Sequence, residues 1–181
     1  MTRSKKTVVL GVTGSIAAYR ACEIISALRK EDVSVRVILT KEAHEFITPL
    51  SLQTLSRNKV LTDMFDLPEE WDPVHTSLAD KADLILVAPA TANVIGKIAG
   101  GICDDLLTCV IFASSGPVLI APAMNEKMYK NKIVQANIEK LRSAGYKFIG
   151  PIKGRLACGH EDMGHISDTA DIVKEAKKLL R

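Results

Sequence analysis

Three things are scarce in this sequence, and each scarcity removes a class of function. Aromatic residues make up only 4% of the chain, one Trp, three Tyr and four Phe. Modules that stack nucleic-acid bases on aromatic rings need more of them. No two of the cysteines, Cys22, Cys103, Cys109 and Cys158, stand in C-x-x-C spacing. That argues against a zinc site or a disulfide framework and fits a reducing cytosol. No metal is expected. No apolar run approaches the roughly 20 residues that span a bilayer. Charge of one sign is also lacking: 24 basic residues face 21 acidic ones, for a net +3. The excess sits at the ends, on Arg3, Lys5 and Lys6 and on Lys174, Lys177, Lys178 and Arg181. The body is slightly acidic, so the charge describes two tails (the first over residues 1–6) rather than a basic groove. The N-terminus has the basic start of a signal peptide, but Gly11, Thr13, Gly14 and Ser15 interrupt its apolar run. A cytoplasmic protein is expected, with neither nucleic acid nor membrane as partner.

What is present is a regular alternation of patterns. With 47% hydrophobic residues in 181, the chain can form one domain with a substantial core. Residues 7–12 form a short, β-branched apolar run, a buried strand. Residues 16–30 carry apolar side chains at Ile16, Ala17, Ala21, Ile24, Ile25 and Leu28, the spacing of a helix. Residues 33–39 alternate as a strand, and 84–88 and 118–121 read as two more. Phe148 and Ile149 mark a short fifth. Helices are expected over 41–56, 75–81, 91–113 with a break near Gly100, 125–144, and 168–180 with Asp168 as N-cap. This pattern predicts an α/β, Rossmann-like (flavodoxin-like) parallel sheet flanked by helices on both faces. Residues 57–74 read as an irregular loop, and 150–167 as a long flexible loop.

In such a sheet, ligands bind beyond the carboxyl ends of the strands. Four segments qualify. Gly11-Val12-Thr13-Gly14-Ser15-Ile16 offers a tight turn and free N–H groups to a phosphate. Its G-x-x-G spacing equally suits a plain strand-to-helix turn capped by Ser15. Thr40 stands where an NAD enzyme usually has an acid, which disfavours NAD; its hydroxyl suits a phosphate or a ribityl chain, or a helix cap. Pro89-Ala90-Thr91-Ala92-Asn93 lets backbone approach a flat ligand. Pro122-Ala123-Met124-Asn125 places Asn125 at a helix start, as ligand contact or as cap. Among the histidines, His75 opens a short helix; a lone histidine is more often structural than catalytic. Cys158 lies in a glycine-rich loop, where a reactive thiol is plausible.

These stretches, with the run from Gly96-Lys97-Ile98 to Asp104-Asp105-Leu106 and with Leu156-Ala157-Cys158-Gly159, resemble the flavin-dependent cysteine decarboxylases over nearly the whole chain. The resemblance is strongest to the branch acting on 4'-phosphopantothenoylcysteine in coenzyme A biosynthesis, which yields 4'-phosphopantetheine. It implies a carboxy-lyase with FMN as cofactor and a phosphorylated cysteine conjugate as substrate. By that resemblance Gly14, Ser15, Ile16 and Thr40 match contacts to the flavin phosphate and ribityl chain. Thr91, Ala92, Asn93 and Val94 match a second flavin loop, and Ala123 lies against the flavin. His75 matches the active-site base. Asn125 and Met128 match the substrate motif, with Asn125 on the carboxylate. Arg155, Leu156 and Ala157 belong to a substrate flap, and Cys158 matches the late proton donor. A homotrimer or trimer-based oligomer with sites at subunit boundaries is implied, without the synthetase domain fused to many bacterial relatives.

The sequence departs from the family after Gly159. A glycine-rich stretch ending in Arg-Met or Ala-Met is usual there; this chain has His160-Glu161-Asp162-Met163-Gly164-His165-Ile166. Tyr129 replaces a usual Trp. Two further readings stand beside the first: a decarboxylase of peptide C-terminal cysteines, and a non-catalytic flavin-binding regulatory subunit. The Leu-Ala-Cys-Gly context favours the coenzyme A branch, and the absence of a long acidic tail disfavours the regulatory one.

Overall fold

A computed structural model describes residues 5–65, 73–155, 159 and 161–180. Five strands form one parallel sheet: Thr7–Val12 (β1), Ser34–Leu39 (β2), Leu84–Ala90 (β3), Val118–Pro122 (β4) and Lys147–Phe148 (β5). Their order is β2-β1-β3-β4-β5. After β2 the chain returns to the other side of β1, so strand order reverses between β1 and β3. Loops leaving those two strands part there and open a crevice.

Period-two alternation explains the two cores. Along β1, Val8, Leu10 and Val12 enter one buried cluster, while Val9 enters the other. Along β3, Leu84, Leu86 and Ala88 join the first and Ile85 and Val87 the second. Both faces are therefore apolar, as a doubly covered parallel sheet requires. The first face packs on helices Arg20–Lys30 (α1), through Ile24, Ile25 and Leu28, and Thr169–Leu179 (α8), through Ile172 and Ala176. The second packs on Val74–Lys81 (α3), Ala92–Gly100 (α4), Leu106–Ala113 (α5) and Lys132–Ser143 (α7). Gly11 faces α5 so closely that a Cβ there would stand 2.4 Å from Leu107 Cδ1.

Several helices start later or break sooner than periodicity suggests. Ile16–Tyr19 is a 3-10 turn ahead of α1. The segment 41–56 divides into a 3-10 turn, Lys41–Glu45, and Pro49–Ser56 (α2), because proline favours a first helical turn over an interior. Asn131 separates Glu126–Lys130 (α6) from α7 by capping the latter, its Oδ1 accepting from Ile133 N–H at 2.9 Å. Gly101, at φ 71°, ends α4 where a break was expected.

One expectation fails outright. The segment 150–167 is not simply a loop. It contains an antiparallel hairpin of Ile152–Arg155 (β6) and Glu161–His165 (β7). Charged and glycine residues hide its alternation, so neither strand shows the apolar run that marks the strands of the main sheet.

Candidate functional site

A cavity of about 900 Å³ opens over the carboxyl ends of β1, β2, β3 and β4, with the hairpin along one side. Its size is that of a pocket for a cofactor or a drug-sized ligand. The β1 turn contributes Gly14, Ser15 and Ile16, and Thr40 follows β2. Thr91, Ala92, Asn93 and Val94 come from the start of α4. Ala123, Asn125 and Met128 line the β4 side, and Arg155 the hairpin side.

Local bonding shows why these loops hold their shape. Thr13, 2% exposed, donates its hydroxyl to the Pro89 carbonyl at 2.7 Å and accepts from Thr91 N–H at 3.1 Å. It ties the β1 turn to the β3 loop across the switch point. Ser15 accepts from Ala17 N–H at 3.3 Å, and Thr91 from Val94 N–H at 3.3 Å. Both therefore serve as caps while lining the cavity. Asn125 does the same: its Oδ1 accepts from Lys127 N–H at 2.9 Å and its Nδ2 donates to Glu126 Oε2 at 2.7 Å. Gly14 is required by packing, since a Cβ there would lie 2.6 Å from Glu42 Cβ.

Thr40 behaves differently. It precedes a 3-10 turn but makes no side-chain cap bond, and its buried Oγ1 has no partner among the described residues. A buried hydroxyl left unpaired costs about 1–3 kcal/mol. Such a cost on a cavity wall is relieved by a ligand that supplies a hydrogen bond. If the ligand is the flavin that the resemblance implies, Thr40→Val is expected to weaken its binding about tenfold while leaving the melting temperature of the flavin-free protein unchanged or higher. Flavin titration and thermal melting of both proteins would check this; undiminished affinity in the variant would remove Thr40 from the contact set.

Sequence reasoning passed over several lining residues. Lys97 lies on the cavity wall with its ammonium 2.8 Å from Asp104 Oδ1 and 2.9 Å from Asp105 Oδ2. Burial pushes the Lys97 pKa down, but the two carboxylates outweigh it and the net shift is upward. Burial likewise pushes Asp105 up, yet the Thr108 N–H and Lys97 bonds hold it below the usual carboxylate value. Lys97 and Asp105 thus favour their charged forms, and the trio links α4 to the capped start of α5. All three residues stand in the run from Gly96 to Leu106, but their meeting depends on a turn that periodicity does not reveal. Thr13, Tyr19 and His165 are also lining residues.

One expected residue, His75, does not join them there. His75 is the second residue of α3, which packs against α5, and it is not among the cavity-lining residues. Leu156, Ala157 and Cys158 lie outside the described residues. Among the described residues, no helix is long and apolar enough to cross a membrane.

The coenzyme A biosynthesis bifunctional protein CoaBC of Bacillus subtilis (strain 168) is 47% identical over 175 residues, 97% of this chain and 43% of that protein. The chain thus spans less than half the length of the curated relatives it matches. A cysteine-to-serine variant of a PPC decarboxylase, complexed with pantothenoylaminoethenethiol, has a TM-score of 0.85 and 34% identity, covering 96% of this chain and 97% of that one. The FMN binding protein AtHal3 has a TM-score of 0.81 and 34% identity, covering 96% of each chain. The flavoprotein family model matches residues 1–181. With its sheet order, its crevice at the β1/β3 reversal and this match from end to end, the chain belongs to the flavoprotein family.

Proposed function

We propose that this chain is an FMN-dependent decarboxylase that converts 4'-phosphopantothenoylcysteine to 4'-phosphopantetheine in coenzyme A biosynthesis, in the cytoplasm. The observation that carries the reading is the end-to-end similarity to a PPC decarboxylase bearing an aminoethenethiol ligand. The cavity fits the cofactor. Thr40 offers an unpaired buried hydroxyl, and Ala92 and Ala123 leave room for a flat ring to approach backbone. When bound, FMN supplies a reversible two-electron sink at the carbon bearing the thiol, which makes loss of carbon dioxide feasible and leaves no net oxidation.

The chain's own groups do the rest. Backbone N–H groups of the Gly14–Ser15 turn and the Thr40 hydroxyl hold the cofactor's phosphate and ribityl arm. Thr91, Asn93 and Val94 orient its ring edge, with Ile16 beside them. Asn125 and Met128 take the cysteine end of the substrate. Arg155, Leu156 and Ala157 exclude water, and Cys158 delivers the proton that completes the thiol. His75 is the base, and a base must come within hydrogen-bond reach of its proton. His75 is not among the residues lining its own chain's cavity, so in this reading a second copy presents it. Ile16 and Met128, on the cavity wall, are 61% and 49% exposed, as expected of a surface that a neighbour covers. A homotrimer with sites at subunit boundaries supplies that neighbour.

The test is direct. The purified protein should be yellow with bound FMN, and should form phosphopantetheine from phosphopantothenoylcysteine as read by mass. A colourless protein that takes up no flavin would end the proposal. Flavin with turnover only of a cysteine-terminated peptide would redirect it to the peptide branch.

A further inference from the structure

His165 is the last residue of β7 and lies on the cavity wall, half-buried. Its Nδ1 stands 2.7 Å from the Ile166 carbonyl oxygen. A carbonyl only accepts, so Nδ1 carries the proton. In the neutral ring Nε2 is then an acceptor, and it has no hydrogen-bond partner among the described residues.

The surroundings make room for this ring and hold it still. On the facing strand, a Cβ at Gly154 would lie 3.0 Å from both Cβ and Cγ of His165. The strand carrying His165 is itself pinned at two points. Met124 N–H donates to the Gly164 carbonyl at 3.1 Å, and Lys130 Nζ lies 2.6 Å from Asp162 Oδ2. A ring fixed by its own backbone, opposite a glycine, on a tethered strand, is preorganised rather than adaptable.

The geometry points to His165 as a substrate-binding and specificity residue, whose Nε2 accepts a hydrogen bond from an amide N–H or hydroxyl of the substrate's acyl arm. The inference rests on the functional reading above, since phosphopantothenoylcysteine carries such donors. A wall that accepts from an N–H or O–H discriminates against ligands lacking one, because its acceptor would be left unpaired.

Two substitutions separate this role from a structural one. His165→Asn keeps an amide donor near the Nδ1 position, and so the bond to Ile166, but has nothing at Nε2. His165→Gln places its amide near Nε2. Both flavin-loaded proteins would be assayed for KM and kcat, and for calorimetric Kd with phosphopantetheine as probe. The asparagine variant should show KM and Kd raised about tenfold with kcat within about threefold of the parent. The glutamine variant should recover most of the loss, and both should keep their flavin. An asparagine variant with parental KM and Kd would overturn the assignment, as would a glutamine variant no better than asparagine. A parent that binds phosphopantetheine but does not decarboxylate would refute the functional reading, while the Kd comparison still decides the role of His165. A parent with neither turnover nor binding would refute both.

Discussion

His75→Asn is expected to lower turnover about a thousandfold, within the range that general acid–base groups contribute, and to leave flavin bound. Retention of flavin follows from position, since His75 sits on α3 and no cavity-lining residue belongs to that helix. The same position yields a sharper expectation. If His75 serves the cavity of a neighbouring copy, its loss and a defect in the cavity can be separated onto different chains. His75→Asn and Asn125→Ala should each be nearly inactive alone. Mixed oligomers should regain measurable activity, because some boundaries then pair an intact His75 with an intact cavity. Full activity of His75→Asn by itself would remove its role as base. Two dead variants that stay dead after mixing would place His75 and the cavity on the same chain's chemistry.

The second large effect concerns the hairpin. Gly164→Ala should raise KM about a hundredfold, with flavin affinity within severalfold of the parent. Gly164 has φ 135°, a conformation that L side chains rarely adopt. A Cβ there would also lie 2.2 Å from the Met124 carbonyl oxygen. That neighbour is backbone, so it cannot swing aside, and the hairpin must lift from the β4–α6 segment. Displacement of about 1 Å at such a site costs roughly a hundredfold. The flavin contacts proposed for Gly14, Thr40 and Thr91 lie on the sheet side and should be spared. Gly145→Ala is the matching control: its φ is 96° and nothing lies within 4 Å of the added Cβ. It should lower stability by about 1 kcal/mol and leave KM alone. Equal KM values for Gly164→Ala and the parent would contradict the docking role, and steady-state kinetics with thermal melts would decide.

The sheet was legible in the chain because burial on both faces writes itself as continuous apolar runs, as at 7–12 and 84–88. Four ends of strands could be marked as site segments for the same reason, since small and hydroxyl residues there break the apolar pattern. The resemblance added roles to Ser15, Thr40 and Asn125 that local chemistry left open between cap and contact. Ser15, Thr91 and Asn125 turn out to line the cavity while capping their helices, so the two readings were never exclusive. Thr40 makes no cap bond at all.

Local pattern carries burial and turn chemistry, since both depend on residues within a few positions of each other. It carries most helix and main-sheet strand positions, the two apolar faces of the sheet, and the candidate loops. Strand order does not follow from it, and strand order creates the crevice between β1 and β3. Nor do contacts across long separations: Thr13 bracing the Pro89–Thr91 loop, Lys97 meeting Asp104 and Asp105 on the cavity wall, and Gly164 pressed against Met124. The tertiary structure alone assigned His165 to the cavity and left His75 off it. Those placements depend on how whole elements pack, and packing is decided by the summed fit of distant surfaces rather than by any single stretch of chain.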